Sequence, residues 1–231
     1  MPPEVKICGI ADAAALEAAV TGGARFAGFV FFPPSPRALT PADAAGLAGT
    51  VPAGIVRVGL IVDADDAAID DILAAVPLDM LQLHGGESPA RVAAVRARTG
   101  LSVMKVIAVA SEADLAAASA YAQVADRLLF DARPPAGATR PGGNACSFDW
   151  RLLAGRTWSR PWLLAGGLDA GNVADAVRLS GALGVDVSSG VDDAPGRKSP
   201  AKIRAFLAAA ARIGSEPEAE MIVPTDGPAY M

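Results

Sequence analysis

Four side chains able to move a proton or grip an anion stand at or just past the ends of short apolar runs in this 231-residue chain. Cys8 closes the first run, in Lys6-Ile7-Cys8-Gly9. Taken alone it reads as a small buried hydrophobe; at the mouth of a barrel it reads as a base or nucleophile, provided its thiol is lowered from about 8.5. Asp131 follows Leu128-Leu129-Phe130. A carboxyl group placed directly after three apolar residues is either a loop anchor or a general acid whose pKa partial burial raises. Arg37, in Ser35-Pro36-Arg37, is a surface arginine or a bidentate grip on a substrate carboxylate. His84, the only histidine, ends Gln82-Leu83-His84-Gly85 and has no visible partner, which favours a lining or hydrogen-bonding role over acid–base work.

Two glycine-marked turns complete the set. The runs at 161–168 and 183–190 end in Gly166-Gly167 and in Ser188-Ser189-Gly190. Such turns let backbone approach a ligand closely and leave N–H groups free to face an anion. Near the end of an alternating strand–helix chain they occupy the place where (β/α)8 barrels hold phosphate. Asp186, alternating with apolar neighbours, is expected to point into the barrel as structural support, since a buried carboxylate needs partners.

The elements that must position these groups follow from periodicity. Eight apolar runs, at 5–8, 26–31, 56–62, 80–83, 103–109, 127–131, 162–165 and 185–188, are near-continuous, as in parallel strands covered by helices. Between them, helical stripes recur at Leu16, Ala19, Val20 and Gly23, at Ile69, Ile72, Leu73 and Val76, and at Ile203, Phe206, Leu207 and Ala210. Thr40-Pro41 and Ser199-Pro200 read as N-caps with proline at the first helical position. Gly22-Gly23 reads as a C-cap. Eight alternating units predict an α/β fold, a (β/α)8 TIM barrel over 1–212 as a single domain. The sixth unit is the least regular, its loop at 132–147 carrying three prolines and three glycines. The segment 213–231 breaks the pattern and reads as a disordered tail.

Composition narrows the function classes. Net charge is −5, with no Lys/Arg block, so neither nucleic acid nor an anionic membrane surface is an expected partner. No stretch reaches the roughly 18 apolar residues of a membrane span, and no signal peptide is visible. Two cysteines among 231 residues indicate a reducing, cytoplasmic setting. No His/Cys cluster has metal-ligand spacing, and the glycine-rich nucleotide fingerprints are missing, so neither metal nor cofactor is expected. Monomer and homodimer are both compatible with the alanine-rich helices.

In this order the blocks KICG (6–9), GFVFFPPSPR (28–37), LQLHG (81–85), FDARPP (130–135), PGGN (141–144), FDW (148–150), AGGL (165–168), VDVSSGV (185–191) and PGRK (195–198) make the chain resemble the phosphoribosylanthranilate isomerase family over roughly residues 4–210. The resemblance implies an Amadori rearrangement of a small phosphoribosyl substrate in tryptophan biosynthesis, with Asp131 as acid and Cys8 as base. It further implies that Arg37 holds the anthranilate carboxylate, and that the two turns hold the phosphate together with Gly142 and Gly143. Ala11 and Ala145 depart from the family's usual threonine and glycine, and Cys146 adds a second thiol near the mouth. Two other readings stay open: a different phosphosugar isomerase or epimerase on the same barrel, and a non-catalytic phosphometabolite-binding protein.

Overall fold

Each of the eight apolar runs becomes a strand in the computed structural model, which describes residues 1–144 and 146–214. In chain order these are β1 (Glu4–Cys8), β2 (Phe26–Val30), β3 (Val56–Ile61), β4 (Met80–Leu83), β5 (Ser102–Val109), β6 (Arg127–Ala132), β7 (Trp162–Leu164) and β8 (Gly184–Val187). All neighbours are parallel, and β1 pairs with β8 to close the barrel. The alternation of side chains sorts the residues. Ile7, Phe29, Leu81, Phe130 and Val185 point outward and join the main core with the helices. Phe26, Val58, Met80, Met104, Leu129 and Leu163 fill the lumen. Cys8, Val30 and Leu60 form a small cluster of their own, with Phe32 and Val62 packed against it.

The connecting helices are α1 (Ala13–Thr21), α2 (Pro41–Gly49), α3 (Asp66–Ala75), α4 (Pro89–Thr99), α5 (Ala118–Ala122), α6 (Val173–Ser180) and α7 (Pro200–Arg212). Thr40 and Ser199 cap α2 and α7 as expected, accepting from the N–H groups of Asp43 and Lys202. Asp12, Asp65 and Ser88 do the same for α1, α3 and α4. The predicted stripes are buried against the sheet, with Val20 and Leu73 at their half-buried margins. Gly23 is the exception. It lies past the end of α1 at φ +86 and is exposed, because the chain leaves the helix at Gly22.

Regular alternation fails in three places. After β5 a 3-10 segment (Glu112–Ala117) precedes the short α5. After β6 the proline- and glycine-rich loop cannot hold an α-helix, and a 3-10 turn (Trp150–Leu153) stands in its place. Leu153 and a triad of Phe130, Trp158 and Trp162, with ring centroids 4.4–5.5 Å apart, cover the sheet there. After β8 the chain makes a 3-10 turn (Ser189–Val191) and an antiparallel hairpin, β9 (Asp192–Ala194) and β10 (Arg197–Lys198), before α7. The hairpin turns at Gly196, φ +81, where the backbone oxygen of Pro36 leaves no space for a Cβ. The expectations for Ala145 and for the tail from 215 onward fall outside the described residues.

Candidate active site

The C-terminal ends of the strands gather the singled-out residues at one mouth. Cys8 ends β1, Asp131 sits next to last in β6, His84 directly follows β4, and Arg37 arrives from the loop after β2. Asp131 accepts the Ala132 N–H through Oδ1 at 2.8 Å, and its Oδ2 lies 3.4 Å from His84 Nε2. That approach is close enough for charge to be felt but not aligned as a hydrogen bond, and His84 Nε2 has no hydrogen-bond partner among the described residues. On the other side of the ring, Gln82 Nε2 stands 3.4 Å from His84 Nδ1. His84 therefore borders the cavity and comes within 3.4 Å of the acid candidate.

The loop after β6 folds back over the mouth. A Cβ on Gly142 would lie 2.6 Å from His84 Cε1 and 2.8 Å from Asp131 Oδ2, and one on Gly143 would lie 2.8 Å from Arg37 Nη1. Glycine is the residue that lets this backbone approach three of the four chemical groups. The mouth is thereby divided into two adjoining cavities, the second the larger. Gly142, Gly143, Gly166, Gly167, Ser188 and Ser189 line the first, and Cys8, Arg37, His84 and the apolar Val30, Phe32, Leu60 and Val62 line the second. Asp131 and Asp186 border both. Gly166 and Gly167 have φ values of +91 and +66, so both turn residues use the left-handed region. Gly190 lines neither cavity; it lets the β8 turn pack directly on the backbone oxygen of Leu168.

Arg37 is neither on the surface nor wholly free to fork a ligand. It is 4% exposed, and its Nε and Nη2 donate to Asp192 Oδ2 at 3.1 and 2.5 Å. Asp192 Oδ1 accepts from Lys198 Nζ at 2.7 Å, and that ammonium also donates to the Ser188 carbonyl at 2.7 Å. One buried carboxylate thus serves two buried cations, and the cluster as a whole favours an anion. Burial pulls Lys198 below its usual value, against the opposing pull of Asp192.

Cys8 departs from the expectation of a lowered thiol. Burial pushes it up, and the nearby Lys6 ammonium only partly opposes that rise. Lys6 and Asp186 form a buried ion pair at 3.0 Å beneath the mouth. Asp186 points inward as its alternation predicts, and burial raises its carboxyl despite Lys6. Lys6, Asp192 and Lys198 were not singled out by sequence reasoning. Lys6 shares the inward parity of Cys8, which is a usable signal. Asp192 and Lys198 reach the site only through the unforeseen hairpin. Among the described residues, no group of three or more His, Cys, Asp or Glu side chains could hold a metal ion, and no helix is long and apolar enough to cross a membrane.

A closed parallel barrel, with thiol, carboxyl, imidazole and guanidinium groups converging at its C-terminal mouth, defines the class: a (β/α)8-barrel enzyme. The family model for N-(5'-phosphoribosyl)anthranilate isomerase matches residues 5–209. The N-(5'-phosphoribosyl)anthranilate isomerase of Paramagnetospirillum magneticum is 60% identical over 210 residues, 91% of this chain and 98% of that protein. The enzyme of the same name from Paracoccus denitrificans is 61% identical over 210 residues, again 91% and 98% of the two chains. The crystal structure of the Thermotoga maritima phosphoribosylanthranilate isomerase superposes with a TM-score of 0.81 at 34% identity, covering 90% of this chain and 98% of that one. The chain belongs to the N-(5'-phosphoribosyl)anthranilate isomerase family, and it is an isomerase of tryptophan biosynthesis.

Proposed function

We propose that this chain rearranges N-(5'-phosphoribosyl)anthranilate to 1-(o-carboxyphenylamino)-1-deoxyribulose 5-phosphate by acid–base catalysis, with Asp131 as the acid and Cys8 as the base. The observation that carries this reading is the pair of adjoining cavities, with Asp131 at their junction and Cys8 in the larger one. The cavity of glycine and serine turns suits a phosphate. The apolar cavity suits an aromatic ring, and Arg37, which lines it, pairs with Asp192 through Nε and Nη2 and leaves Nη1 to meet a carboxylate. A related isomerase, 32% identical with a TM-score of 0.78, was crystallised with a reduced form of this product.

With the two ends held, the ribose lies between the proton-transferring groups, which converts binding energy into orientation. Asp131 gives its proton to the ring oxygen as the C1–O bond breaks and the anilino nitrogen supplies electrons, leaving a Schiff base. The Cys8 thiolate then removes the C2 proton to form an enolamine. A proton returns to C1 and the C2 hydroxyl becomes the ketone. Apart from the opening of the ring C–O bond these steps move only protons, and they ask for no metal or organic cofactor. The same reading makes the cytoplasm the site of action and leaves a monomer or homodimer as the working unit.

The test is a steady-state assay that follows the loss of substrate fluorescence. Cys8→Ala and Asp131→Asn should each lower kcat by about 100-fold or more while substrate still binds. Near-normal turnover in either variant rejects the role assigned to that residue. Absence of any turnover by the wild-type protein rejects the substrate.

A further inference from the structure

A thiol that burial pushes up is a poor base unless something nearby favours its anion. The charged groups acting on Cys8 are few. Lys6 lies on its own strand, Asp186 on β8 and Lys198 on β10. Asp131 and His84 in turn act on Asp186, and Arg37 acts on Lys198. Lys198 is committed to Asp192 and to the Ser188 carbonyl, and of the two cations Lys6 acts more strongly on the thiol.

Its geometry is specific. Lys6 and Cys8 are two residues apart on β1, so both side chains enter the barrel. Backbone pairing sets Lys6 level with Asp186 and Phe26, and Cys8 level with Gly28. Lys6 Nζ donates to Asp186 Oδ1 at 3.0 Å. A Cβ built on Gly28 would nevertheless meet Lys6 Nζ at 3.2 Å and Cys8 Cα at 3.1 Å. The ammonium has therefore risen from its own level to that of Cys8, through the space that Gly28 leaves open. Lys6 lines neither cavity and is fully buried, so it reaches the substrate only through other residues. An ammonium has three donors, and Asp186 occupies one. Burial pulls Lys6 down, but Asp186 and Cys8 together outweigh it and hold the lysine above its usual value.

We propose that Lys6 is the positioning residue for the Cys8 thiol: its ammonium, steered by Asp186 through the gap at Gly28, is the fixed positive charge that sustains the thiolate inside the barrel. The role rests on the reading of Cys8 as the catalytic base. Asp186 keeps Lys6 protonated and aimed, and its own negative charge, which opposes the thiolate, sets how far the thiol can fall.

The thiolate is read directly from its ultraviolet absorbance as pH is raised, with Cys146→Ser as the background so that one thiol titrates. Lys6→Met should raise the Cys8 midpoint by about 1–3 units, the effect of losing an opposite charge at close range. Lys6→Arg, which keeps the positive charge, should leave the midpoint nearer the wild-type value than Lys6→Met does. A folded Lys6→Met protein with an unmoved thiol overturns the proposal. If Lys6→Met does not fold, Lys6→Gln decides in its place: a raised midpoint supports the role, and an unmoved or falling one overturns it. The acid limb of the kcat–pH profile separates this idea from the one beneath it. A thiol midpoint that shifts while the limb stays fixed keeps Lys6 as the tuner and removes Cys8 as the base.

Discussion

At the scale of residues, Arg37 carries the clearest prediction, because the structure fixes which part of it is available. Asp192 takes its Nε–Nη2 edge, and Nη1 faces the Gly143 side of the cavity. Arg37→Ala should raise KM about 10- to 100-fold with a much smaller change in kcat, matching the loss of a charge-assisted hydrogen bond made alike in ground and transition states. Arg37→Lys should not restore affinity, since a point charge cannot serve Asp192 and a ligand from two edges at once. An unchanged KM in Arg37→Ala removes the carboxylate role. Cys8, Arg37, His84 and Asp131 were legible in the sequence because each falls at or just beyond the end of an apolar run, where a barrel displays its side chains. Asp192 and Lys198 were not, because nothing in Asp192-Asp193-Ala194-Pro195-Gly196-Arg197-Lys198 says that the hairpin docks on Pro36. The inward parity of Lys6 was readable, yet a lysine inside a barrel is credible only once its partner Asp186 is seen across the β1–β8 seam.

At the scale of elements, all eight strands were legible to within a residue or two, since near-continuous apolar runs recurring in alternation with helical stripes are a strong signal for buried parallel strands. The helical units after β5 and β6 were less so. Their coverage of the sheet comes from 3-10 segments and from the Phe130, Trp158 and Trp162 cluster, which have no helical period to read. The turns after β7 and β8 act as one element, because Gly190 packs on the carbonyl of Leu168. Gly190→Ala should push the two turns apart. It should cost about 1–3 kcal/mol as overpacking and raise KM, because the Ser188–Ser189 backbone shifts with it. Gly100 is the comparison. It ends α4 in the left-handed conformation at φ +69, and a Cβ there would meet nothing within 4 Å. Gly100→Ala should lose about 1 kcal/mol from backbone strain alone, with KM and kcat at wild-type values. Denaturant unfolding alongside steady-state kinetics checks both. Equal KM values in the two variants would break the link between Gly190 and the cavity.

At the scale of the whole molecule, buried charge is divided by purpose, and pH separates the two kinds. Outside the barrel wall, Glu87 is 6% exposed, and it accepts from Lys105 at 2.7 Å and from the backbone N–H groups of Asp63 and Gly85. Burial pushes its carboxyl up, but Lys105 and backbone N–H groups, that of Asp63 among them, outweigh that and hold it below the usual range. A depressed folded value means that its stabilisation is present above the unfolded pKa, about 4.3, and is lost as pH falls through the folded value. Asp186 has the opposite sign. Burial raises it, so its contribution is present below the unfolded value and is lost as pH rises through the folded one. The structural pair thus stabilises the fold near neutrality, whereas at the site the raised Asp186 opposes the raised Lys6. Glu87→Gln should lower stability at neutral pH by about 3 kcal/mol, since it strands the buried Lys105 ammonium. In acid the wild-type protein reaches the same condition by protonating Glu87. The gap between the two proteins, measured by urea unfolding at stepwise lower pH, should therefore close as pH falls below about 4. A gap that stays constant down to the acid limit would show that Glu87 contributes by packing and hydrogen bonding, with no stabilising charge.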